Sequence, residues 1–365
     1  MLKIIKSPSK YIQGFDTIKQ LNDYFEIYGQ KGAYILIDPF IYDNFKDDIL
    51  SSFVEKGTKH HVEIFTKECS QIAIDANIKK IKELDYDVIF CIGGGKTIDT
   101  GKAVGHFTRL PFVVVPTVAS SDAPCSALSV VYTEDGEFEK YLFLNTSPTA
   151  LVLDTNIIVN APARLLSAGI GDALATYYEA NACYQSNATS IAGGKPSKTA
   201  IALAKLCLDT LLEDGLKAVK SCEDKVVTSA LENIIEANTY LSGVGFESGG
   251  LAAAHAIHNG LTALHECHHM FHGEKVAFGT ITQLVLENRS LHEIEKIIMF
   301  CKSVNLPVCF RDLGITELNK EKLMEVAELA TAEGETIHNM PFKVTAYDVY
   351  AALLTANQLG EHFSK

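Results

Sequence analysis

The sequence has little positive charge, no closely paired cysteines and no long apolar run. It carries 45 acidic against 32 basic residues, a net charge of −13, and lacks the basic stripes that bind phosphate backbones, so we expect no nucleic-acid partner. No run of about 18 uncharged apolar residues is present, and the amino-terminal stretch has no signal-peptide core, so we expect no membrane association. The nine cysteines are dispersed without a CxxC pair, which is typical of reduced thiols in a cytoplasmic protein.

The chain does have enough length and apolar content for two domains. Its 365 residues exceed what one hydrophobic core usually holds. Through about residue 155, short β-branched runs alternate with amphipathic stretches, which predicts a Rossmann-like α/β domain with a parallel sheet covered on both faces. From Pro162 onward only helical periodicity remains. We therefore predict an α/β domain over residues 1–160 and an all-α domain over 161–365, with a ligand crevice between them at the carboxyl ends of the strands.

Local patterns place the elements of both predicted domains. Apolar runs predict parallel strands at 33–37, 62–65, 87–92, 112–115 and 150–153, with a hairpin of 126–132 and 138–143 laid on their sheet. Helical spacing predicts helices near 42–56, 75–84 and 97–104 in the first domain, and at 162–184, 197–213, 224–242, 249–264, 274–287, 289–304, 319–332 and 345–358 in the second. Thr345 and Asp348 form a capping-box pattern before the last helix.

Three glycines and a lysine, numbered 93 to 96, follow the strand 87–92 and precede a helix. Glycines there let backbone N–H groups approach a ligand, and the positive helix end together with Lys96 favours a phosphate. The alternative is an ordinary tight turn between a strand and a helix. Asp38 ends the first predicted strand, where an acidic side chain can accept hydrogen bonds from an adenosine ribose and repel a 2′-phosphate. A turn aspartate before proline is an equally good interpretation of Asp38.

Six of the 12 histidines lie within one short segment, at positions 255, 258, 265, 268, 269 and 272. Neutral imidazole is the commonest metal ligand among side chains. His255 and His258 are one turn apart on a predicted buried helix, where an unsatisfied polar ring would be costly. The segment therefore predicts a metal site. Asp172, at a helix start rich in small residues, is the best carboxylate to complete a two-histidine site with an open coordination position, although a helix N-terminal acid needs no such function.

The same segment contains a competing pattern. Residues 265–269 match HExxH, in which His265 and His269 would bind zinc and Glu266 would activate water in a protease. The motif lies between two predicted helices, so a continuous helix through it is not expected. A protease would also leave the glycine-rich loop unexplained. We therefore consider a zinc protease a weaker hypothesis than the metal site formed with Asp172.

Five stretches of the sequence resemble a known family when they are taken together. They are GGGKTIDTGKAVG (93–105), PTVASSDAPCSALSVVYT (116–133), GIGDALATYYEA (169–180), GGLAAAHAIHNGL (249–261) and HHMFHGEKVAFG (268–279). They resemble the iron-containing (group III) alcohol dehydrogenase superfamily, and within it the glycerol dehydrogenases. The resemblance covers nearly the whole chain and implies a fold similar to that of dehydroquinate synthase.

The resemblance implies roles for individual residues. Asp172, His255 and His272 match the metal ligands, which hold zinc in glycerol dehydrogenases and iron in several relatives, and Asp122 matches the residue that contacts the substrate. The residues that match the lining of the NAD site are Asp38, Gly94, Gly95, Lys96, Thr97, Asp99, Thr117, Ser120, Ser126, Leu128 and Tyr132.

The activity that the resemblance implies is NAD- and metal-dependent oxidation of glycerol, or a related diol such as 1,2-propanediol, with dihydroxyacetone as the product from glycerol. His258 is then a candidate proton relay or a residue that orients a metal ligand. The family also implies a homo-oligomer, an octamer or a dimer. Glycerol-1-phosphate dehydrogenase and a dehydroquinate synthase-like enzyme are alternatives on the same scaffold. Both act on anionic substrates, whereas the motifs around Asp122 and His255 carry few cations.

Overall fold

The computed structural model describes residues 1–317 and 319–364. Leu318 and Lys365, which belong to the predicted helical domain, lie outside the described residues. The chain divides into two compact units. The sheet unit comprises Lys6–Ala119 and Ala123–Ala161, and the helical unit comprises Met1–Ile5, Ser120–Asp122 and the chain from Pro162 onward. None of the helices in the described residues has the length and hydrophobicity of a transmembrane segment.

The sheet unit is built on a parallel sheet, as the continuous apolar runs predict. The strands of the unit are β1 (Tyr11–Gly14), β2 (Ala33–Ile37), β3 (His60–Ile64), β4 (Val88–Gly93), β5 (Phe112–Pro116), β6 (Leu128–Tyr132), β7 (Phe138–Phe143) and β8 (Ala150–Asp154). Six of them pair in the order β1-β8-β5-β4-β2-β3, and every neighbouring pair is parallel. The four central strands are buried along their whole length because both of their faces are covered.

Five helices accompany the strands of this unit: α1 (Leu21–Tyr28), α2 (Pro39–Glu55), α3 (Gln71–Leu84), α4 (Gly95–Thr108) and α5 (Thr155–Asn160). Leu21 of α1 and Phe53 of α2 pack with Ile35, Phe90 and Val113 of the sheet in one apolar core. Three elements, β1, α1 and α5, have no counterpart among the predictions. β1 is a half-buried edge strand without an apolar run, and the two helices are only 8 and 6 residues long.

The predicted hairpin is confirmed, but its position differs from the prediction. β6 and β7 form their own antiparallel two-stranded sheet instead of lying on the parallel one. Val130 of β6 donates its backbone N–H to the Asp99 carboxylate of α4 at 3.1 Å. A side chain on a helix therefore holds the hairpin in place, which an alternation pattern in the strands cannot reveal.

The helical unit contains nine further helices in the described residues: α6 (Ala163–Ser186), α7 (Lys198–Glu223), α8 (Ser229–Glu236), α9 (Ser242–Gly249), α10 (Ala253–Leu261), α11 (His272–Leu286), α12 (Leu291–Ser303), α13 (Lys320–Ala330) and α14 (Ala346–Phe363). Among residues 162–317 and 319–364 there is no β-strand beyond an isolated bridge between Lys3 and Lys195. The predicted absence of strand structure in this half is therefore confirmed for the described residues.

Two helix boundaries depart from the periodicity in an informative way. The helix predicted over 224–242 is divided into α8, a π-helical turn at Ala237–Leu241 and α9. The helix predicted from 249 begins four residues later, because Gly250 adopts a φ of 103° that ends α9. The capping box of α14 is confirmed, with Thr345 and Asp348 bonding each other's backbone N–H groups.

Candidate functional site

The carboxyl ends of β2, β4 and β5 lie side by side at one edge of the sheet. The backbone N–H of Asp38, just after β2, donates to the Ile92 carbonyl of β4 at 3.0 Å. The N–H of Thr117, just after β5, donates to the Gly93 carbonyl at 3.2 Å. Along the chain, β4 continues to β5 on one side, and β2 continues to β3 on the other. Open α/β sheets bind ligands at such a point of reversal, so this edge is the expected nucleotide site.

The glycine-rich loop joins β4 to α4 at this edge. Gly93 has a φ of 150°, and a Cβ there would lie 2.9 Å from the Asp38 Cβ, so a side chain does not fit. Gly94 is the N-cap residue of α4 and provides no side-chain cap, and the space around its Cβ position is open. An anion can therefore approach the first N–H groups of this helix. The Asp38 carboxylate accepts the N–H of Phe40 at 2.9 Å and caps α2.

The residues that the resemblance assigns to NAD are placed as follows. Gly95, Lys96, Thr97 and Asp99 lie on the first turns of α4, while Ser126 precedes β6, and Leu128 and Tyr132 share one half-exposed face of β6. Ser120 belongs to the short segment 120–122 of the helical unit. Lys96 is 63% exposed, and its ammonium pairs with Glu68. An exposed cation that is paired with a carboxylate therefore lies at the start of α4.

Asp99 differs from the other members of this set because its carboxylate is used inside the protein. It accepts the Val130 N–H at 3.1 Å and lies 3.4 Å from the Nζ of Lys102. Lys102 is fully buried and also donates to the Ala123 carbonyl at 2.9 Å. Burial raises the pKa of Asp99, and Lys102 partly offsets that effect. The geometry therefore gives Asp99 a role in holding α4 to the hairpin.

Three side chains of the helical unit converge on one point. Asp172 of α6, His255 of α10 and His272 of α11 each direct a possible ligand atom there, and these atoms lie within 4.8 Å of one another. The Asp172 Oδ1 is 3.3 Å from the His255 Nε2 and 3.1 Å from the His272 Nε2. Asp172 is buried, whereas the side chain of His272 is 43% exposed, so the cluster has one accessible side.

Close backbone crossings bring these helices together. A Cβ on Gly273 would lie 1.8 Å from the Ala168 carbonyl oxygen, and a Cβ on Gly171 would lie 2.3 Å from the Gly273 oxygen. These glycines are the chain neighbours of His272 and Asp172. Only glycine allows α6 and α11 to approach this closely, so the crossing itself places the two candidate ligands side by side.

Burial and neighbouring charges shift the pKa values of the groups in and beside this cluster. Burial raises the pKa of Asp172, but the imidazoles of His272 and His255 outweigh burial and hold that pKa well below its ordinary value. Burial lowers the pKa of His255, and the carboxylates of Glu179 and Asp172 raise it well above the ordinary value. Burial and the charge of Asp172 raise the pKa of Asp122. Asp172 is therefore the ionised acid that a cation would meet.

Asp122 is fixed beside this cluster by the helical unit. Its backbone N–H donates to the Asp172 Oδ2 at 3.2 Å. The Ser242 hydroxyl donates to the Asp122 carboxylate at 2.5 Å and lies 2.8 Å from the Thr176 hydroxyl. Ser242 directly follows the π-helical turn, a local irregularity that often occurs at functional sites. No pattern in the sequence pointed to Ser242, since its partner lies 120 residues away.

His258 contacts a candidate ligand. Its Nε2 lies 3.0 Å from the His272 Nδ1, and its Nδ1 lies 3.1 Å from the Asn259 Oδ1. Burial and the neighbouring His272 lower the pKa of His258 well below its ordinary value, so this ring is neutral. The Asn259 amide in turn donates to Glu335 at 3.0 Å. His258 thus belongs to a series of hydrogen bonds that ends at the His272 Nδ1, the ring nitrogen directed away from Asp172.

The HExxH stretch does not form the helix that a protease of that type needs. His265–Cys267 is a single 3-10 turn. Glu266 pairs with Lys322 at 2.9 Å, and the His268 Nε2 lies 3.0 Å from the Thr262 carbonyl. Among the described residues, the only group found with metal-ligand spacing is Asp172, His255 and His272. The structure therefore does not favour the protease hypothesis.

The donors of the cluster fit a divalent transition metal. One carboxylate oxygen and two imidazole nitrogens are common ligands of zinc and of iron. Three protein ligands with one accessible side are typical of a catalytic metal site, which keeps a coordination position for substrate. This donor set and its accessible side define a candidate catalytic metal centre in the helical unit.

Comparison with known proteins identifies the family to which the chain belongs. Residues 8–155 match the family described as iron-containing alcohol dehydrogenase. Because relatives about 50% identical also cover the whole chain, the chain belongs to the iron-containing alcohol dehydrogenase family and is an oxidoreductase, as the family resemblance implied.

Two relatives and one solved structure have names more specific than that of the family. A glycerol dehydrogenase of Escherichia coli is 53% identical over 100% of this chain and 99% of the relative. A glycolaldehyde reductase of Halobacterium salinarum is 44% identical over 99% of this chain and 98% of the relative. The crystal structure of glycerol dehydrogenase from Schizosaccharomyces pombe superimposes with a TM-score of 0.96 at 40% identity, covering 100% of this chain and 92% of that one.

Proposed function

We propose that the chain is an NAD- and metal-dependent dehydrogenase that oxidises glycerol and related vicinal diols such as 1,2-propanediol. The product from glycerol is dihydroxyacetone. The observation that carries the proposal is the cluster of Asp172, His255 and His272 in a chain similar over its full length to glycerol dehydrogenases. This similarity favours the proposal over glycerol-1-phosphate dehydrogenase, a dehydroquinate synthase-like enzyme and a zinc protease.

The sheet unit binds the cofactor in this proposal. Backbone N–H groups at Gly94 and Gly95 hold the phosphates at the start of α4, and the Asp38 carboxylate accepts hydrogen bonds from the adenosine ribose. The half-exposed face of β6, with Leu128 and Tyr132, offers an apolar surface to the rest of the cofactor. NAD, when bound, accepts a hydride at its nicotinamide C4.

The helical unit binds the metal and the polyol. Asp172, His255 and His272 would hold the ion. We propose that the ion is zinc, as the resemblance to glycerol dehydrogenases implies, because the donor set alone fits zinc and iron equally. A divalent cation, when bound, acts as a Lewis acid on the substrate hydroxyl. Asp122, which Ser242 holds in place, contacts the polyol. In the oxidation the C–H bond of the alcohol carbon breaks with both electrons leaving as hydride, the carbonyl forms and the hydroxyl proton is released.

His258 orients His272 in this proposal. A ligand that faces a cation through Nε2 carries its ring proton on Nδ1, and the His272 Nδ1 then donates to the His258 Nε2. His258 in turn donates through Nδ1 to the Asn259 amide oxygen. Each side chain in this series of hydrogen bonds has a partner, which supports the role of His258 in orienting His272. The Asn259 amide, which His258 contacts, does not transfer protons readily. The contacts therefore give less support to a proton relay through His258.

The substrate class is tested by the rate of NADH formation, followed by its ultraviolet absorbance, with glycerol, 1,2-propanediol and monofunctional alcohols. Glycolaldehyde with NADH belongs in the same panel, because a reductase of that aldehyde would use the same groups in reverse. We expect vicinal diols to be the best substrates, the rate to vanish on chelation and zinc to restore it. Full activity after exhaustive chelation would refute the metal-dependent mechanism.

Cofactor choice gives a second prediction. An Asp38→Asn variant keeps the cap on α2, since asparagine caps helices as well as aspartate does, but it removes the charge that repels a 2′-phosphate. We expect wild-type protein to use NADP poorly, and the ratio of kcat/KM with NADP to kcat/KM with NAD to rise about tenfold in the variant. Initial rates with both cofactors measure the ratio. An unchanged ratio would remove Asp38 from the ribose site.

A further inference from the structure

Helix α10, which carries His255, begins without a capping residue of its own. Its N-cap is Ala252, whose side chain cannot accept a hydrogen bond. The N–H groups of Ala252 and His255 donate to Oε1 of Glu179 on α6, at 2.8 and 3.0 Å. The two N–H groups between them donate to Oε1 of Gln283 on α11, at 3.2 and 2.9 Å. Two buried side chains from neighbouring helices therefore hold the first turn of α10.

Glu179 makes one further contact that Gln283 does not. Its second oxygen, Oε2, lies 2.6 Å from the Nδ1 of the His255 ring. The Glu179 side chain is 0% exposed, and that of His255 is 14% exposed. A carboxylate that accepts hydrogen bonds at both oxygens requires the His255 Nδ1 to be the donor. The other ring nitrogen, Nε2, then faces Asp172, at 3.3 Å from its Oδ1.

We propose that Glu179 is a positioning residue of the metal centre: it fixes both the place of His255 and the ring nitrogen that His255 offers to the ion. The inference rests on the proposed function, because it takes Asp172, His255 and His272 as the ligands. A carboxylate behind a histidine ligand fixes the tautomer and raises the basicity of the ring. The Nδ1 of His272 contacts the uncharged His258 and not a carboxylate. The contact with the buried carboxylate of Glu179 is therefore specific to His255.

The test is the zinc affinity of a Glu179→Gln variant, measured by competition with a chromophoric chelator on the full chain. Glutamine has the same shape and keeps one carbonyl oxygen for the N–H groups of α10. Its amide NH2 cannot accept from the His255 Nδ1, so the ring proton moves to Nε2, on the side of the ion. We expect the zinc Kd to rise about 10- to 100-fold. Binding of NADH, followed by fluorescence, stays at the wild-type level.

A Gln283→Leu variant is the matched control. It removes the acceptor of the other two N–H groups in the same turn but leaves the His255 ring and Glu179 untouched. Its apparent Tm is expected to fall while its zinc Kd stays at the wild-type value. Equal weakening of zinc binding in the Gln283 and Glu179 variants would overturn the proposal, because the effect would then come from the helix cap alone.

Two further variants separate the possible failures. If Glu179→Gln does not fold, Glu179→Asp keeps the charge but draws it away from the ring, and an unchanged zinc Kd there contradicts the proposal. If wild-type protein binds no zinc, or Asp172→Asn binds it as tightly as wild type, the proposed metal site itself fails. Tight zinc binding that needs Asp172 but not Glu179 overturns the positioning role alone.

Discussion

An Asp172→Asn variant is expected to lose its bound metal and about 1,000-fold in kcat/KM for glycerol. Asp172 is the acid of the cluster whose pKa is held low by two imidazoles, so it supplies the negative charge that offsets the cation. The loss of a Lewis acid removes several kcal/mol of transition-state stabilisation, and each factor of ten in rate corresponds to about 1.36 kcal/mol. Elemental analysis of the dialysed protein and initial rates measure the two losses.

NADH binding is the internal control for this variant. The candidate cofactor residues 94–97 form the N-cap and first turn of α4 in the sheet unit, so the NADH fluorescence titration of Asp172→Asn should match that of wild type. Full turnover by a metal-free preparation of the variant would show that Asp172 is not a ligand.

A Gly273→Ala variant is expected to lose both stability and metal. Its Cβ would lie 1.8 Å from the Ala168 oxygen and 2.8 Å from the Asp172 nitrogen, so α6 and α11 must separate. Overpacking of this kind costs about 1–3 kcal/mol or more, which corresponds to a fall of roughly 2 to 12 °C in apparent Tm for a unit of this size. His272, the adjacent residue, moves with the helix start, so the zinc Kd also rises. Thermal melts with and without zinc measure both effects.

Gly95→Ala provides the comparison, measured without cofactor. Gly95 lies in the first turn of α4, and no atom approaches its Cβ position within 4 Å. Alanine there should leave the apparent Tm unchanged or raise it slightly, because it restricts the unfolded chain. A Gly273→Ala protein as stable as this control, with wild-type zinc affinity, would mean that the helix crossing does not position the ligands.

Much of the fold could be predicted because its signals are local. The run DVIFCI predicted a strand at 87–92, and β4 occupies Val88–Gly93. The helix predicted at 289–304 is α12, Leu291–Ser303. The missed elements carry weak local signals, as in the edge strand β1 with its sequence YIQG. The hairpin was misplaced because the Asp99 carboxylate that holds it lies on α4.

The candidate site was harder to predict because its contacts are distant in sequence. Spacing alone left His265, His269 and His272 as rivals, and the choice of His272 came from the family resemblance. The structure brings His272 to Asp172 through the crossing of Gly171 and Gly273, while the ligand roles stay a prediction. Glu179 was missed because it meets the start of α10 from 73 residues away. An acid seven residues after Asp172 on an apolar helix was the one available signal.

The most direct measurement is an anomalous difference map of the crystallised protein, with data recorded on both sides of the zinc and iron absorption edges. We expect one peak about 2.0–2.2 Å from a carboxylate oxygen of Asp172 and from the Nε2 atoms of His255 and His272. No peak among these three residues in a zinc-soaked crystal, or a peak between His265 and His269 instead, would contradict it.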